Sequence, residues 1–449
     1  MWQQGSRGLA ENGGILICEV PVAVPSYDSA PIGASSDASG CPGEQIREAH
    51  MSARFIERIK LDGFLSFAPG SDPLELHRLN VLIGPNAAGK SNLIEALELL
   101  RATPVDFAGA IRDGGGPLEW IWKGPQSQRS PAIVDVRLGG TTPTTRSLRY
   151  LLEFDAVQNR VEVLDEAIEE GDLRPGHQDV FFYYRFQRGH PAIGVRDLAH
   201  GNRQQSRRNL KRDSLLPDQS VLAQRKDPDL YPEVTWVGSN FAAIQTFREW
   251  TFGRYAPLRQ PQPADMQENQ LLPDARNLAL VLNQVEHKDG ARFNDLLKRF
   301  FPRFQRMSTR VSGGTVQFYL HEPGFAAPIP PTRLSDGTIR FIALLATLLN
   351  PSPPPLVCIE EPELGLHPDA MELVAELLVE ASDRMQLLVT THSDALVSAL
   401  SLQVDAIITC ERPGASTILQ RLDAKELAVW LQKYRLGDLW RMGELGANP

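Results

Sequence analysis

The sequence predicts an α/β fold in which a phosphate-binding core is split by an inserted α+β lid domain. Three observations lead there. A short apolar strand, a glycine-bearing turn and an amphipathic helix follow one another between Leu79 and Arg101. Strand and helix alternate again over residues 356–391, as a parallel sheet requires. Between these two halves Lys90 and Ser335 stand 245 positions apart, which leaves room for a sizeable inserted region.

The elements follow in chain order. Residues 1–50 are rich in Gly, Ala, Ser and Pro, carry two basic and six acidic side chains, and show no sustained period, so they read as disordered. The apolar run from Gly14 to Pro25 is interrupted by Glu19 and Pro21, which argues against a secretory signal. Met51 is therefore expected as the natural start. FIERIKLDGFLSF then alternates as a strand does, and Leu79–Ile83 is a second, fully apolar strand. In NLIEALELLR, Leu93, Leu97 and Leu100 share one helical face. YLLEFD and RVEVLDEAIE read as strands, and NLALVLNQV and FNDLLKRFF read as helix. A Pro-rich break at 351–355 precedes the strand LVCI, a helix near 369–382 and the strand QLLVTT. DAIITC and STILQRL form a hairpin around Pro413 and Gly414, and KELAVWLQKY is expected as a closing helix. The resulting organisation is 1–50 as an extension, 51–125 as the first half of the core, 126–325 as the inserted lid region and 326–449 as the second half.

Composition excludes several classes. At roughly 100 to 200 residues per domain, a chain of 449 residues holds two or three compact units. No stretch reaches the ~18 uninterrupted apolar residues of a membrane helix. With 46 basic and 55 acidic side chains the net charge is −9, so nucleic acid can be met only through a local patch. The four cysteines, Cys18, Cys41, Cys358 and Cys410, show no paired spacing; neither a disulfide framework nor a thiolate zinc site is indicated, and a reducing cytoplasm is expected.

The strongest motif is Gly84-Pro85-Asn86-Ala87-Ala88-Gly89-Lys90-Ser91-Asn92, the G-x-x-x-x-G-K-S pattern between a strand and a helix. Glycines let successive N–H groups turn inward around phosphate oxygens at a helix N-terminus. Lys90 is expected on the β- and γ-phosphates and the Ser91 hydroxyl on Mg²⁺. Downstream, the strand 356–359 ends in Glu360-Glu361-Pro362-Glu363. A carboxylate at a buried strand's end beside bound phosphates can hold Mg²⁺ through water, and its neighbour can deprotonate the attacking water. Glu360 is assigned to the metal and Glu361 to the base. Ser335 and the N–H of Gly337 open a long apolar helix and make a second anion site. His392, at the end of QLLVTT, can bond a γ-phosphate or the attacking water. The plainer readings are an exposed lysine on a turn, a solvated acidic turn and an ordinary loop histidine.

GPNAAGKSN, LSDGT, CIEEPELGLHP and TTHS, in this order, resemble the P-loop ATPase head of the RecF/SMC-like branch of the ABC-type ATPases. Within that branch the chain is similar to the AAA_21 group of predicted ATPases, related to the OLD-family ATPase domain. The resemblance runs over most of residues 54–445 and takes in RNLALVL and YRLGDLWRMGELG. It implies ATP and Mg²⁺ as ligands and a homodimer that sandwiches ATP, with Ser335 and Gly337 acting in trans and the segment after Glu363 touching the partner. Two departures stand out: Asp336 where the signature usually has glycine, and Glu at 360 where Asp is usual. Gln126 and Gln128 are the candidates for the Q-loop glutamine, and His367 is expected to be structural or at the dimer contact.

No heptad pattern persists in the inserted region, so a compact lid is expected there instead of a coiled coil. It carries a basic cluster, Arg203, Arg207, Arg208, Lys211 and Arg212, that either contacts nucleic acid or forms a solvated face. Three functions remain open. The first is an ATP-hydrolysing dimeric switch in DNA maintenance or phage defence. The second is the ATPase subunit of an ABC transporter. In the third, the chain activates a separate nuclease or effector, because the 57 residues after His392 are too few for the Toprim domain of OLD relatives.

Overall fold

The computed structural model describes residues 54–446 apart from 126, 128, 140–142, 145, 188, 197–204 and 249. The expectations for residues 1–50, for Met51, for Gln126 and Gln128 and for Arg203 therefore fall outside the described residues.

The strands are β1 (Ile56–Asp62), β2 (Leu74–Glu75), β3 (Leu79–Ile83), β4 (Ala132–Leu138), β5 (Leu148–Val157), β6 (Arg160–Glu170), β7 (Phe182–Gln187), β8 (His190–Arg196) and β9 (Gln205–Asn209). They continue with β10 (Gln245–Phe247), β11 (Gln262–Pro263), β12 (Arg306–Ser312), β13 (Thr315–His321), β14 (Leu356–Glu360), β15 (Gln386–Thr390), β16 (Ile407–Glu411) and β17 (Ile418–Arg421). The helices that matter below are α1 (Lys90–Ala102), α2 (Pro232–Ala242), α3 (Leu278–Phe300), α4 (Asp336–Leu348), α5 (Met371–Ser382) and α6 (Asp394–Ala399). No described helix is long and apolar enough to cross a membrane.

Three sheets result. β10-β14-β15-β3-β16-β17 is the nucleotide sheet, parallel except for the β16–β17 hairpin. Its central strands are apolar on both faces, as a sheet covered on both sides demands. Val81, Val357 and Val389 face one core, with α3, α4 and α5, while Leu82, Cys358 and Leu388 face the other, with α1 and α2. The second core also receives an eight-stranded antiparallel sheet, β2-β1-β4-β5-β6-β7-β8-β9. In β4 and β5 every other side chain is buried, the period-2 pattern of a sheet with one packed face. The third sheet, β11-β13-β12, packs beside α3.

The buried Gln386 amide ties the two larger sheets together. Its Oε1 accepts from Ile56 N at 2.9 Å, and its Nε2 donates to Ile56 O at 2.8 Å and His77 O at 2.9 Å.

Two sequence expectations meet a different arrangement. The boundary at 125/126 falls inside the eight-stranded sheet, because β4 pairs with β1 and satisfies the backbone groups of that edge. The span 126–325 also supplies β10, which pairs in parallel with β14, so part of the expected lid belongs to the nucleotide sheet. KELAVWLQKY is not one helix: it forms a turn of helix at Ala424–Leu427 and a 3₁₀ turn at Trp430–Gln432. Val429, Trp430 and Tyr434 are exposed, so only Leu427 and Leu431 gain packing, too little to hold an isolated three-turn helix.

Glu166 is fully buried beneath residues 215–224. It accepts from Tyr150 Oη at 2.9 Å, from Ser220 Oγ and from Val221 N at 2.8 Å. Burial pushes its carboxyl up to about 7, against the help of those donors. A raised folded-state value means stability that is present below the unfolded value near 4.5 and is lost as pH rises through about 7. The shift corresponds to ~3 kcal/mol. Glu166→Gln mimics the protonated form, with its amide nitrogen facing two hydroxyls that can accept. Thermal unfolding between pH 4.5 and 8 is therefore expected to flatten in Glu166→Gln, with a higher melting temperature than wild type above pH 7.

Candidate functional site

The parallel register brings the carboxyl ends of β3, β14 and β15 side by side: Val81 opposes Val389, and Glu360 opposes Thr390. The loops that leave these ends carry the motifs, so residues hundreds of positions apart surround one cavity of about 270 Å³. Its walls are the glycine-bearing loop from Asn86 to Asn92, Glu360, Glu361, His392 and Arg412.

Gly89 opens α1 with φ +110°, in the left-handed region, and a Cβ there would lie 2.2 Å from Thr417 Oγ1. The loop is held from outside. Thr417 Oγ1 donates to Ala88 O at 2.7 Å, the Cys410 thiol donates to the same carbonyl at 3.3 Å, and Asn92 Nδ2 donates to Ser66 Oγ at 2.6 Å. Lys90 is buried, and its ammonium donates to Gly84 O at 2.7 Å and Pro85 O at 2.9 Å. Burial draws its pKa down, against the attraction of Cys410 and of Glu361, Glu360 and Glu363. The Ser91 hydroxyl bonds Glu360 Oε1.

Glu360 meets a partner that the sequence did not disclose. Arg248, at the end of β10, donates Nε to Glu360 Oε2 at 3.1 Å, NH1 to Glu98 at 2.9 Å and NH2 to Glu95 at 3.2 Å. Burial pulls the guanidinium pKa down, and the Glu98 and Glu360 carboxylates outweigh it, so the net shift is upward. Glu360 thus has one oxygen on Arg248 and the other on Ser91. Recognising AIQTF as an edge strand of the parallel sheet would have placed Arg248 at a strand's carboxyl end, where binding residues gather.

Glu361 sits at φ +47°, with its N–H on Thr390 O at 3.0 Å and its carbonyl accepting from Arg340 at 3.2 Å. Its Oε1 lies 3.6 Å from His392 Nε2. Glu363 holds the histidine's backbone: its Oε1 accepts from Thr391 Oγ1 at 2.7 Å and from His392 N at 2.8 Å. Burial raises the Glu363 carboxyl above the usual range, the Thr391 bond opposing it.

Ser335 and Gly337 do not line this cavity. Ser335 caps α4, its exposed Oγ accepting from Thr338 N at 3.0 Å. His367 caps the turn Pro368–Ala370. A second cavity of about 220 Å³, walled by Leu65, Ile121, Trp122 and Lys123, shares Asn92 and Arg412 with the first. Sequence reasoning missed Arg412, which lies just past β16 in the hairpin turn.

The residues fit a magnesium nucleotide. No group of three or more acidic, His or Cys side chains able to hold a metal occurs among the described residues. One hydroxyl beside one carboxylate, completed by phosphate oxygens and water, is the arrangement Mg²⁺ takes with nucleotides. A separate cavity of about 310 Å³ lies between Glu162, Phe186 and Leu216, but Arg212 already pairs with Glu162 there at 3.2 Å. Within the basic cluster, Arg207 lies over the Phe182 ring at 4.5 Å, and Arg208 and Lys211 are exposed on and beside edge strand β9.

Arg248→Met leaves three neighbouring carboxylates without their shared cation. The urea midpoint is expected to fall by the equivalent of ~2 kcal/mol, less than the 3–5 of a fully buried pair because the site is only half-buried. Adding Glu98→Gln is expected to restore about half of that loss; an unchanged midpoint in Arg248→Met contradicts the assignment.

Residues 79–398 match the AAA_21 family, described as "AAA domain, putative AbiEii toxin, Type IV TA system". Among solved structures the chain is similar to an SMC head bound to the C-terminal winged-helix domain of ScpA: 15% identity, 83% of this chain and 99% of that one, TM-score 0.50. It is also similar to the Smc head domain with an extended coiled coil bound to the C-terminal domain of ScpA, from Pyrococcus furiosus: 12% identity, 84% of this chain and 99% of that one, TM-score 0.51. No curated protein matches the sequence. The family match spans well over half of the chain, so the chain belongs to the AAA_21 family, and its fold is that of an SMC head.

Proposed function

We propose that the chain is an ATP-hydrolysing switch that closes into a homodimer around ATP and Mg²⁺. The observation that carries this reading is the convergence of Lys90, Ser91, Glu360, Glu361 and His392 on one cavity. Lys90 exchanges the carbonyls of Gly84 and Pro85 for β- and γ-phosphate oxygens, while backbone N–H groups between Asn86 and Ser91 cradle the chain of phosphates. Ser91 and Glu360 hold the metal side, with Arg248 fixing which carboxylate oxygen Glu360 presents. A Mg²⁺ ion held by Ser91 and Glu360 would neutralise charge on the phosphates. Glu361 takes the proton of the attacking water, and His392, held through its N–H by Glu363, faces the γ-phosphate side. The cavity beside Trp122 and Arg412 receives the base.

Ser335 and Gly337 stand outside their own subunit's cavity, which supports their use on the nucleotide of a second copy. The family's description names a putative toxin of a type IV toxin–antitoxin system, which favours a role in defence over DNA repair; activation of a separate nuclease or effector is the alternative reading. The large insertion and the run Glu360-Glu361-Pro362-Glu363 count against the transporter subunit. DNA contact through Arg203, Arg207, Arg208, Lys211 and Arg212 belongs to the same proposal, reduced by the pairing of Arg207 and Arg212.

Lys90→Ala is expected to abolish ATP binding in calorimetry, since losing a charge aimed at phosphate costs several kcal/mol in a site shielded from water. Glu361→Gln is expected to bind ATP and stop hydrolysis; wild-type turnover in that variant places the base elsewhere. Mixed dimers of Lys90→Ala and Ser335→Arg subunits are expected to recover part of the ATPase rate, because one composite site carries both lesions and the other neither. If the basic cluster meets duplex DNA, alanine at all five positions is expected to flatten the log-log salt dependence by ~0.9 per lost phosphate contact. An unchanged slope returns the cluster to a solvated face.

A further inference from the structure

Arg259 is 2% exposed, and the turn that carries it, Pro257–Arg259, packs against the turn Pro331–Arg333 that precedes α4. A guanidinium in such a place costs several kcal/mol unless its donors are matched. They are matched almost entirely by one segment. Nε donates to Phe252 O at 2.8 Å, NH1 to Pro331 O at 2.6 Å and Leu334 O at 2.8 Å, and NH2 to Asp336 Oδ1. Three of the four acceptors therefore belong to residues 331–336, the turn that ends in Ser335 and begins α4. The Asp336 side chain is 67% exposed, so Arg259 and not burial fixes its direction.

Gly337 adds a second restraint. A Cβ there would lie 2.5 Å from Gly365 O, so the first turn of α4 rests directly on the loop after Glu363. The turn is clamped on the Pro331 side and the Asp336 side by one side chain and seated from beneath by backbone.

Resting on the proposed dimer, we propose that Arg259 is the positioning residue of the Ser335–Gly337 turn and that Asp336 is its anchor, making no contact with nucleotide. An unpaired aspartate in a turn that approaches a triphosphate repels it. Paired with Arg259 at the first position of a helix, the carboxylate is neutralised, and the partner's γ-phosphate meets the Gly337 N–H and the exposed Ser335 hydroxyl, whose oxygen caps α4. This gives the aspartate at a position where glycine is usual a physical role.

The test uses the full chain with Arg259→Lys, Asp336→Ala, the double variant and Asp336→Asn. Amide hydrogen exchange over residues 333–338 in the nucleotide-free monomer is expected to speed up about tenfold in Arg259→Lys and in Asp336→Ala, and by less than about threefold in Asp336→Asn, which keeps the acceptor oxygen. Unchanged exchange in Asp336→Ala overturns the proposal. In the Glu361→Gln background, ATP-dependent dimerisation is expected to weaken about tenfold in each of the first two variants. The double variant is expected to be no worse than the worse single, since both act through one contact. ATP binding to the monomer is expected to stay unchanged throughout. Independent, multiplying losses in the double variant make Asp336 a ligand in its own right and overturn the anchor role. If Glu361→Gln itself does not dimerise with ATP while the exchange result holds, the dimer reading fails and the positioning of the turn stands.

Discussion

The parallel register of β14, β15 and β3 is the constraint on which the rest depends. Parallel neighbours end on the same side, so the loops that follow Ile83, Glu360 and Thr390 leave the sheet together. That single geometric fact collects a lysine, a serine, two glutamates and a histidine from opposite ends of the chain. It also explains the apolar composition of the strands: a sheet buried on both faces has no polar side, and the alternation that marks β4 and β5 is absent from β3 and β15.

The charged side chains at the sheet's end are held by bonds inside the protein before any ligand arrives. The loop carbonyls hold Lys90, Ser91 and Arg248 divide Glu360 between them, and Glu363 holds the backbone of His392. Lys90, Ser91 and Glu360 therefore each have a partner that a phosphate, a metal or a water can replace or extend. Binding asks the site to exchange contacts and not to build them, which keeps its ordering cost low.

What could be read from the sequence was what is encoded locally. The glycine-bearing loop needs strand, turn and helix in immediate succession, and Leu93, Leu97 and Leu100 declare the buried face of α1 by spacing alone. The acidic end of β14 and the histidine after β15 follow from strand patterns of the same kind. Arg248, Arg259 and Arg412 gave no such signal, because each acts through residues that only the tertiary fold brings near. β10 is three residues long and was lost among loops, although it edges the nucleotide sheet. The helix expected over KELAVWLQKY failed for the opposite reason: its residues favour helix, but the fold offers its apolar side chains too little surface to cover.

The central claim is that the loop around Lys90 is the seat of the triphosphate. A crystal structure of the full chain with Mg²⁺ and a non-hydrolysable ATP analogue tests it most directly. The account predicts Lys90 Nζ moved from Gly84 O and Pro85 O onto β- and γ-phosphate oxygens, with the metal between Ser91 Oγ and the Glu360 side. A bound analogue elsewhere, with Lys90 still on those two carbonyls, would contradict it.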